Sequence, residues 1–131
     1  MVPPTPQADT VLRVPILISL LAAAPLWALT PDEEIALLLQ QVETAEDCTF
    51  YRNGSAHTAA EALAHMTRKY RHFKDEIATA EDFIARSATR SLLTRRAYWV
   101  SCDGAARQRT ADWLTAALSR FRADATTKTS G

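Results

Sequence analysis

The stretch from Cys48 to Tyr70, CTFYRNGSAHTAAEALAHMTRKY, decides how the rest of the chain is interpreted. Its first four residues are cysteine, β-branched or aromatic, which favours a short strand. Asn53 and Gly54 follow this strand and would suggest a hairpin, but the residues after them have a helical pattern. We therefore interpret the pair as the bend from a strand into a helix, with a positive φ angle at Gly54.

The second half of this stretch predicts an amphipathic helix. Thr58 and Glu61 have the spacing of a capping box, so the helix should begin after Thr58 and end near Lys74. On an arc of about 100° the helix carries apolar residues that should face the core, namely Ala59, Ala62, Leu63, Met66, Tyr70 and Phe73. His65 and Lys69 lie at the edge of this arc.

Other segments with helical or strand patterns flank the central stretch. They are a helix from Pro31 to about Ala45 capped by Thr30, a short helix after Thr79, an irregular connection from Ser87 to Arg96, a strand from Ala97 to Ser101, and a helix from about Arg107 to Ala123. The predicted fold class is α+β and predominantly helical. It has about four helices, a small two-stranded antiparallel sheet and one disulfide.

Three consecutive acids, Asp32, Glu33 and Glu34, lie in the first turn of the first predicted helix. One interpretation of such a cluster is a functional site formed by paired carboxylates. The positive end of the helix dipole accounts for it without a site, so we expect these side chains to be solvated.

The N-terminal segment has the pattern of a secretory signal peptide. An uncharged apolar run from Val14 to Leu29 follows Arg13, contains two prolines and ends in small residues. We expect cleavage after Ala28, with residues 29–124 forming one domain, residues 125–131 a disordered tail, and the mature protein in the periplasm without stable membrane insertion. An uncleaved anchor is the alternative.

Composition limits the classes of partner. The 131 residues include fifteen basic and fifteen acidic side chains, so the net charge is zero. This balance predicts no attraction to nucleic acid or to an anionic membrane surface. An unknown envelope protein or a small anionic ligand fits better, and no motif calls for a cofactor.

The chain has two cysteines, Cys48 and Cys102. Disulfides persist in oxidising compartments, and export therefore predicts that these two are bonded. A zinc site is the weaker interpretation, because no pair of histidines completes the set of ligands near either cysteine.

Three blocks in order, RNGSAHTAAEALAHMTRKY from Arg52, TAEDFI from Thr79 and SLLTRRAY from Ser91, resemble the YfeK-like family of small exported bacterial proteins, a domain of unknown function. Arg95 and Ala97 depart from the glycine and proline expected in the last block, so the turn before the second strand is expected to differ. The resemblance implies a periplasmic protein with a disulfide, and it supplies no catalytic residues.

We expect a small binding or interaction module rather than an enzyme. Its candidate ligand-binding residues surround the bend and the second helix: Arg52, Asn53, His57, His65 and Lys69. Cationic side chains near a helix N-terminus favour a carboxylate or phosphate. The structural interpretation is that these residues satisfy backbone groups and cover core edges. A small hydrolase or metal-binding protein is the alternative, and it would use Ser55, His57, Glu61 and His65.

Overall fold

The computed structural model describes residues 28–128, together with residues 2–4 and 15. The predicted signal peptide therefore falls almost entirely outside the described residues. From residue 28 to 128 the elements are α1 (Pro31–Glu43), β1 (Cys48–Arg52), β2 (Ser55–His57), α2 (Ala59–His72), α3 (Ala80–Ser87), β3 (Trp99–Cys102), β4 (Gln108–Arg109) and α4 (Thr110–Thr127), with a 3-10 turn at Lys74–Glu76. None of the described helices is long and apolar enough to cross a membrane.

Threonine caps begin the first three helices, as predicted. The hydroxyls of Thr30 and Thr58 each accept a hydrogen bond from the amide three residues later, both at 3.2 Å. Thr79 and Asp82 form a reciprocal capping box at the start of α3. Each cap satisfies amides that have no partner inside the helix. The residues around each threonine therefore determine where its helix begins.

The helix ends differ from the predictions by a few residues. Both α1 and α2 end two residues earlier than expected. In the last helix, α4 begins at Thr110 and extends to Thr127, so residues 125–127, which we expected in a disordered tail, belong to the helix.

The sheet has four strands in the order β2-β1-β3-β4, all antiparallel, and not two as predicted. Asn53 and Gly54 form the two-residue turn of the β1-β2 hairpin, with φ angles of 51° and 81°, so their interpretation as a bend into a helix is wrong. Two consecutive positive φ angles match the twist of a hairpin and favour Asn-Gly. Two of the strands, β2 and β4, have only three and two residues, too few to show an alternating pattern.

The core lies between one face of the sheet and the four helices. Phe50 and Val100 are opposite each other on β1 and β3 and are both buried. Fully buried side chains of the helices pack into the same cluster, among them Leu38, Phe83 and Leu114. Cys48 and Cys102 are paired in the same register and form the predicted disulfide.

One of the first-turn acids is not solvated as expected. Glu34 is buried, and both its carboxylate oxygens accept hydrogen bonds from the guanidinium of Arg122, at 2.6 and 3.0 Å. Arg122 also lies 2.6 Å from Glu81. This network therefore joins α1, α3 and α4.

Candidate functional site

A narrow cleft opens between α2 and the inner face of the sheet. Side chains alternate along a strand, so Phe50 and Arg52 of β1 face α2 together with Tyr98, two residues before Val100. The cleft has a volume of about 20 Å³. This volume is enough for about one water molecule. Its walls are mostly apolar, and its lining residues are Phe50, Tyr51, Arg52, His57, Glu61, Ala62, His65, Met66, Tyr98, Trp99 and Thr110.

The hydroxyl of Tyr98 is the centre of a polar cluster behind the cleft. It lies 3.0 Å from Nε2 of His65 and 3.2 Å from Nζ of Lys69. Lys69 also donates a hydrogen bond to the carbonyl of Arg90 at 2.8 Å. An ammonium can only donate, so the Tyr98 oxygen accepts from Lys69 and its own proton is free to bind an unprotonated Nε2 of His65.

Burial and positive charge keep His65 neutral. Burial lowers the pKa of His65 to about 4, and the charges of Arg52 and Lys69 act in the same direction. Burial also lowers the pKa of Lys69 to about 8, with the charge of Arg52 as a second cause. At neutral pH this cluster therefore carries the charges of Arg52 and Lys69 beside an uncharged imidazole.

Neither of these cations has a carboxylate partner within residues 28–128. Glu61 is the acid that lines the cleft, and it is engaged elsewhere. Its carboxylate lies 3.0 Å from Nδ1 of His57 and accepts a hydrogen bond from the hydroxyl of Thr58 at 3.1 Å. These contacts lower the pKa of Glu61, with the His57 hydrogen bond as the largest cause.

Thr110, at the start of α4, also lines the cleft. Its hydroxyl is completely buried and makes no hydrogen bond with any described residue. Buried hydroxyls nearly always have a partner, because leaving one unpaired costs free energy.

Three of the five predicted site residues, Arg52, His57 and His65, line this one cleft. Lys69 lies behind it, in contact with Tyr98. Asn53 is not part of the cleft: its side chain binds the hydroxyls of Ser91 and Thr94, at 3.5 and 2.5 Å.

Sequence reasoning missed Tyr98 as a site residue. The alternation of the second predicted strand could have placed it on the same face as Val100. Its contact with His65, however, joins residues 33 positions apart, and no local pattern indicates such a pairing.

The structure gives no support to the alternative sites. Ser55 does not line the cleft, and its hydroxyl is not hydrogen-bonded to His57 or His65. In the part of the chain that the structure describes, no three His, Cys, Asp or Glu side chains are grouped closely enough to hold a metal ion.

The fold and the cleft define a small α+β domain in which a disulfide joins the two central strands and a narrow, mostly apolar cleft with Arg52 in its lining lies beside the second helix. The chain belongs to a family of unknown function, DUF5329, whose model matches residues 29–122. It is similar to an uncharacterized protein, YfeK, from Salmonella typhimurium (strain LT2), with 37% identity over 84 residues, or 62% of this chain and 70% of that protein. These matches confirm the resemblance. No solved structure matches the chain.

Proposed function

We propose that this protein binds a small organic anion, whose acidic group would lie beside Arg52 and whose small apolar end would enter the cleft. The observation that carries this proposal is the pair of cations, Arg52 and Lys69, that share one region without a carboxylate partner. A charge removed from water is costly unless an opposite charge compensates it. A bound carboxylate would supply that charge.

The shape of the cleft limits the ligand. Its space is about that of one water molecule, so a methyl or a single carboxylate oxygen fits, and the rest of the ligand would remain at the mouth. Apolar walls such as Met66 and Phe50 favour a hydrocarbon end. Acetate and propionate are therefore the simplest probes.

Binding is tested by NMR titration of the protein with acetate, propionate and inorganic phosphate. We expect Arg52→Gln to weaken carboxylate binding about tenfold or more, as loss of a hydrogen bond to a charged group predicts. Arg120→Gln, on an exposed part of α4, is the control for removal of one positive charge and should bind like the wild type. Equal affinity of wild type and Arg52→Gln would refute the proposal.

A second readout locates the ligand. Burial is the largest cause of the lowered pKa of His65, and the charges of Arg52 and Lys69 add to it; a bound anion would offset these charges, so the imidazole pKa, about 4 in the free protein, should rise when the probe is added. If the probe binds and this pKa stays unchanged, the anion lies elsewhere.

We also propose that the protein acts in the periplasm, after removal of residues 1–28. A disulfide favours an oxidising compartment, and the family match begins at residue 29, where the mature chain is expected to start. N-terminal sequencing of the protein from a periplasmic extract should begin at Leu29. Recovery of the uncleaved chain from the membrane fraction would contradict this proposal.

A further inference from the structure

The loop before β3 carries two adjacent leucines in solvent. Leu92 is 61% exposed and Leu93 is 96% exposed, and no other large apolar side chain between residues 28 and 128 is exposed. Single exposed leucines are common on protein surfaces. These two are adjacent at the tip of a loop, whereas the other large apolar side chains between residues 28 and 128 are at least partly buried.

This loop is held in place by hydrogen bonds. The hydroxyl of Ser91 accepts bonds from the side chain of Asn53 at 3.5 Å and from the amide of Thr94 at 3.3 Å. The amide of Arg95 binds the carbonyl of Ser91 at 2.9 Å, and Arg90 pairs with Ala97 across the base of the loop. The fold therefore fixes the leucines outside the core.

Arginines surround the same loop. Arg86, Arg90 and Arg95 line a shallow groove of about 280 Å³ together with Ala85, Ser91 and Leu92, and the lining includes no acid. The twenty residues from 83 to 102 contain four arginines and no Asp or Glu. Glu76 approaches Arg86 only to 3.9 Å, and both side chains are half exposed, so it neutralises the groove weakly.

We propose that this loop and groove form a docking surface for a membrane that contains anionic phospholipid. The three arginines would hold a phosphodiester headgroup, because the planar guanidinium matches the geometry of phosphate oxygens. Leu92 and Leu93 would enter the boundary between headgroups and acyl chains, where exposed apolar side chains gain burial. Basic side chains close to the surface add electrostatic attraction to anionic lipid.

An acidic protein is a poorer match for the surface. Stable protein interfaces bury roughly 1,200–2,000 Å² and have aromatic anchors at the centre. Here the apolar part is two aliphatic side chains on one loop. Such a small apolar tip beside cations is better suited to a fluid interface than to a shaped pocket.

The proposal is tested by flotation of the full chain with vesicles of phosphatidylcholine alone and of phosphatidylcholine mixed with phosphatidylglycerol. We expect tighter binding to the anionic vesicles. Leu92→Ser with Leu93→Ser, and separately Arg90→Gln with Arg95→Gln, should each weaken this binding about tenfold or more. Arg68→Gln with Arg71→Gln, on exposed positions of α2, removes the same charge and should leave binding unchanged.

All these chains share the same N-terminal apolar segment, so the differences between them report on the loop. Amide chemical shifts of residues 90–96 on addition of short-chain phosphatidylglycerol provide a local readout, and these residues should move most. Circular dichroism and the melting temperature check that each variant is folded.

Three results would overturn the proposal. One is equal binding to neutral and anionic vesicles, and a second is unchanged binding of both loop variants. The third is binding of inorganic phosphate or polyglutamate as tight as that of the anionic vesicles, because then a free anion or an acidic protein, and not a lipid surface, is the natural occupant.

Discussion

Lys69 is 8% exposed, and its ammonium group donates hydrogen bonds to the carbonyl of Arg90 and the hydroxyl of Tyr98. These two contacts join α2 to the segment that enters β3. Lys69 therefore has a structural role even if its charge also contributes to ligand binding. The alternative that the candidate residues satisfy backbone groups and cover core edges therefore applies to Lys69. Arg52, in contrast, lines the cleft.

Replacement of Lys69 by methionine should change how stability depends on pH. The pKa of Lys69 is lowered from 10.5 to about 8 in the folded protein. Between these values the unfolded chain binds more protons, so the free energy of unfolding should rise with pH in the wild type. The raised pKa of Tyr98 opposes this above about pH 10. Urea unfolding of both proteins from pH 7 to 10 measures the difference between them, and a difference that does not vary with pH would contradict the assigned pKa.

Arg122 should contribute more to stability than its partial exposure indicates. It is 46% exposed, but its partner Glu34 is 9% exposed, and removal of the guanidinium leaves that carboxylate without its counter-charge. We expect Arg122→Met to lower the free energy of unfolding by about 1–3 kcal/mol. Arg120→Met, two residues earlier on the same helix, should change it by less than about 0.5 kcal/mol. Equal losses in the two variants, measured by urea denaturation, would show that the network contributes nothing.

At the scale of the elements, the β1-β2 hairpin determines the geometry of both proposed sites. It brings Arg52 and His57 to the cleft, and from its turn the side chain of Asn53 reaches the loop that carries the leucines. The turn residue that we expected to bind a ligand thus positions a different surface.

Gly54 should tolerate a side chain poorly because of its backbone conformation. Its φ angle is 81°, and a Cβ there would meet only the guanidinium of Arg96, at 3.6 Å, an ordinary contact. We expect Gly54→Ala to lower the free energy of unfolding by about 1–2 kcal/mol, the cost of the left-handed region for a residue with a Cβ. Ser55→Ala, at the next position, serves as a control and should have little effect. A stable Gly54→Ala protein would mean that the turn changes conformation at low cost.

Local signals in the sequence predict where the first three helices begin, whereas contacts between distant residues leave no signal of this kind. Thr30, Thr58 and Thr79 act on amides within their own turn, so the sequence alone indicates them. The prediction missed the hairpin because β2 has only three residues before Thr58 caps the next helix. So short a strand shows no alternating pattern. Burial of Glu34 depends on Arg122, 88 residues away, and pairs that distant leave no periodic pattern. The sequence indicates candidate residues within one local stretch, such as Arg52 and His65, but it does not indicate Tyr98, which reaches His65 from a distant part of the chain.

At the scale of the whole molecule, a net charge of zero still allows a local excess of positive charge. The disulfide lies at one end of β1, at Cys48, whereas Arg86, Arg90 and Arg95 line a groove whose lining includes no acid. Arg52 lies at the opposite end of β1, the end at which the arginine-rich loop joins the hairpin through Asn53. Our expectation that an even charge total gives no attraction to an anionic membrane considered only the sum. The proposed docking surface depends instead on the distribution of charge, which the fold determines.

The disulfide is the feature on which the whole domain most depends. Cys48 and Cys102 are 54 residues apart and join the two central strands, with α1 before them and α4 after them. In the chain-entropy model, closing a loop of that length stabilises the fold by about 4 kcal/mol, a large share of the roughly 5–15 kcal/mol typical of a domain. We expect reduction to lower the free energy of unfolding, measured by urea denaturation with a single cooperative transition, by about 4 kcal/mol, and Cys48→Ala with Cys102→Ala to match the reduced wild type. If the double variant were as stable as the oxidised protein, the packing of β1 against β3 would suffice without the bond.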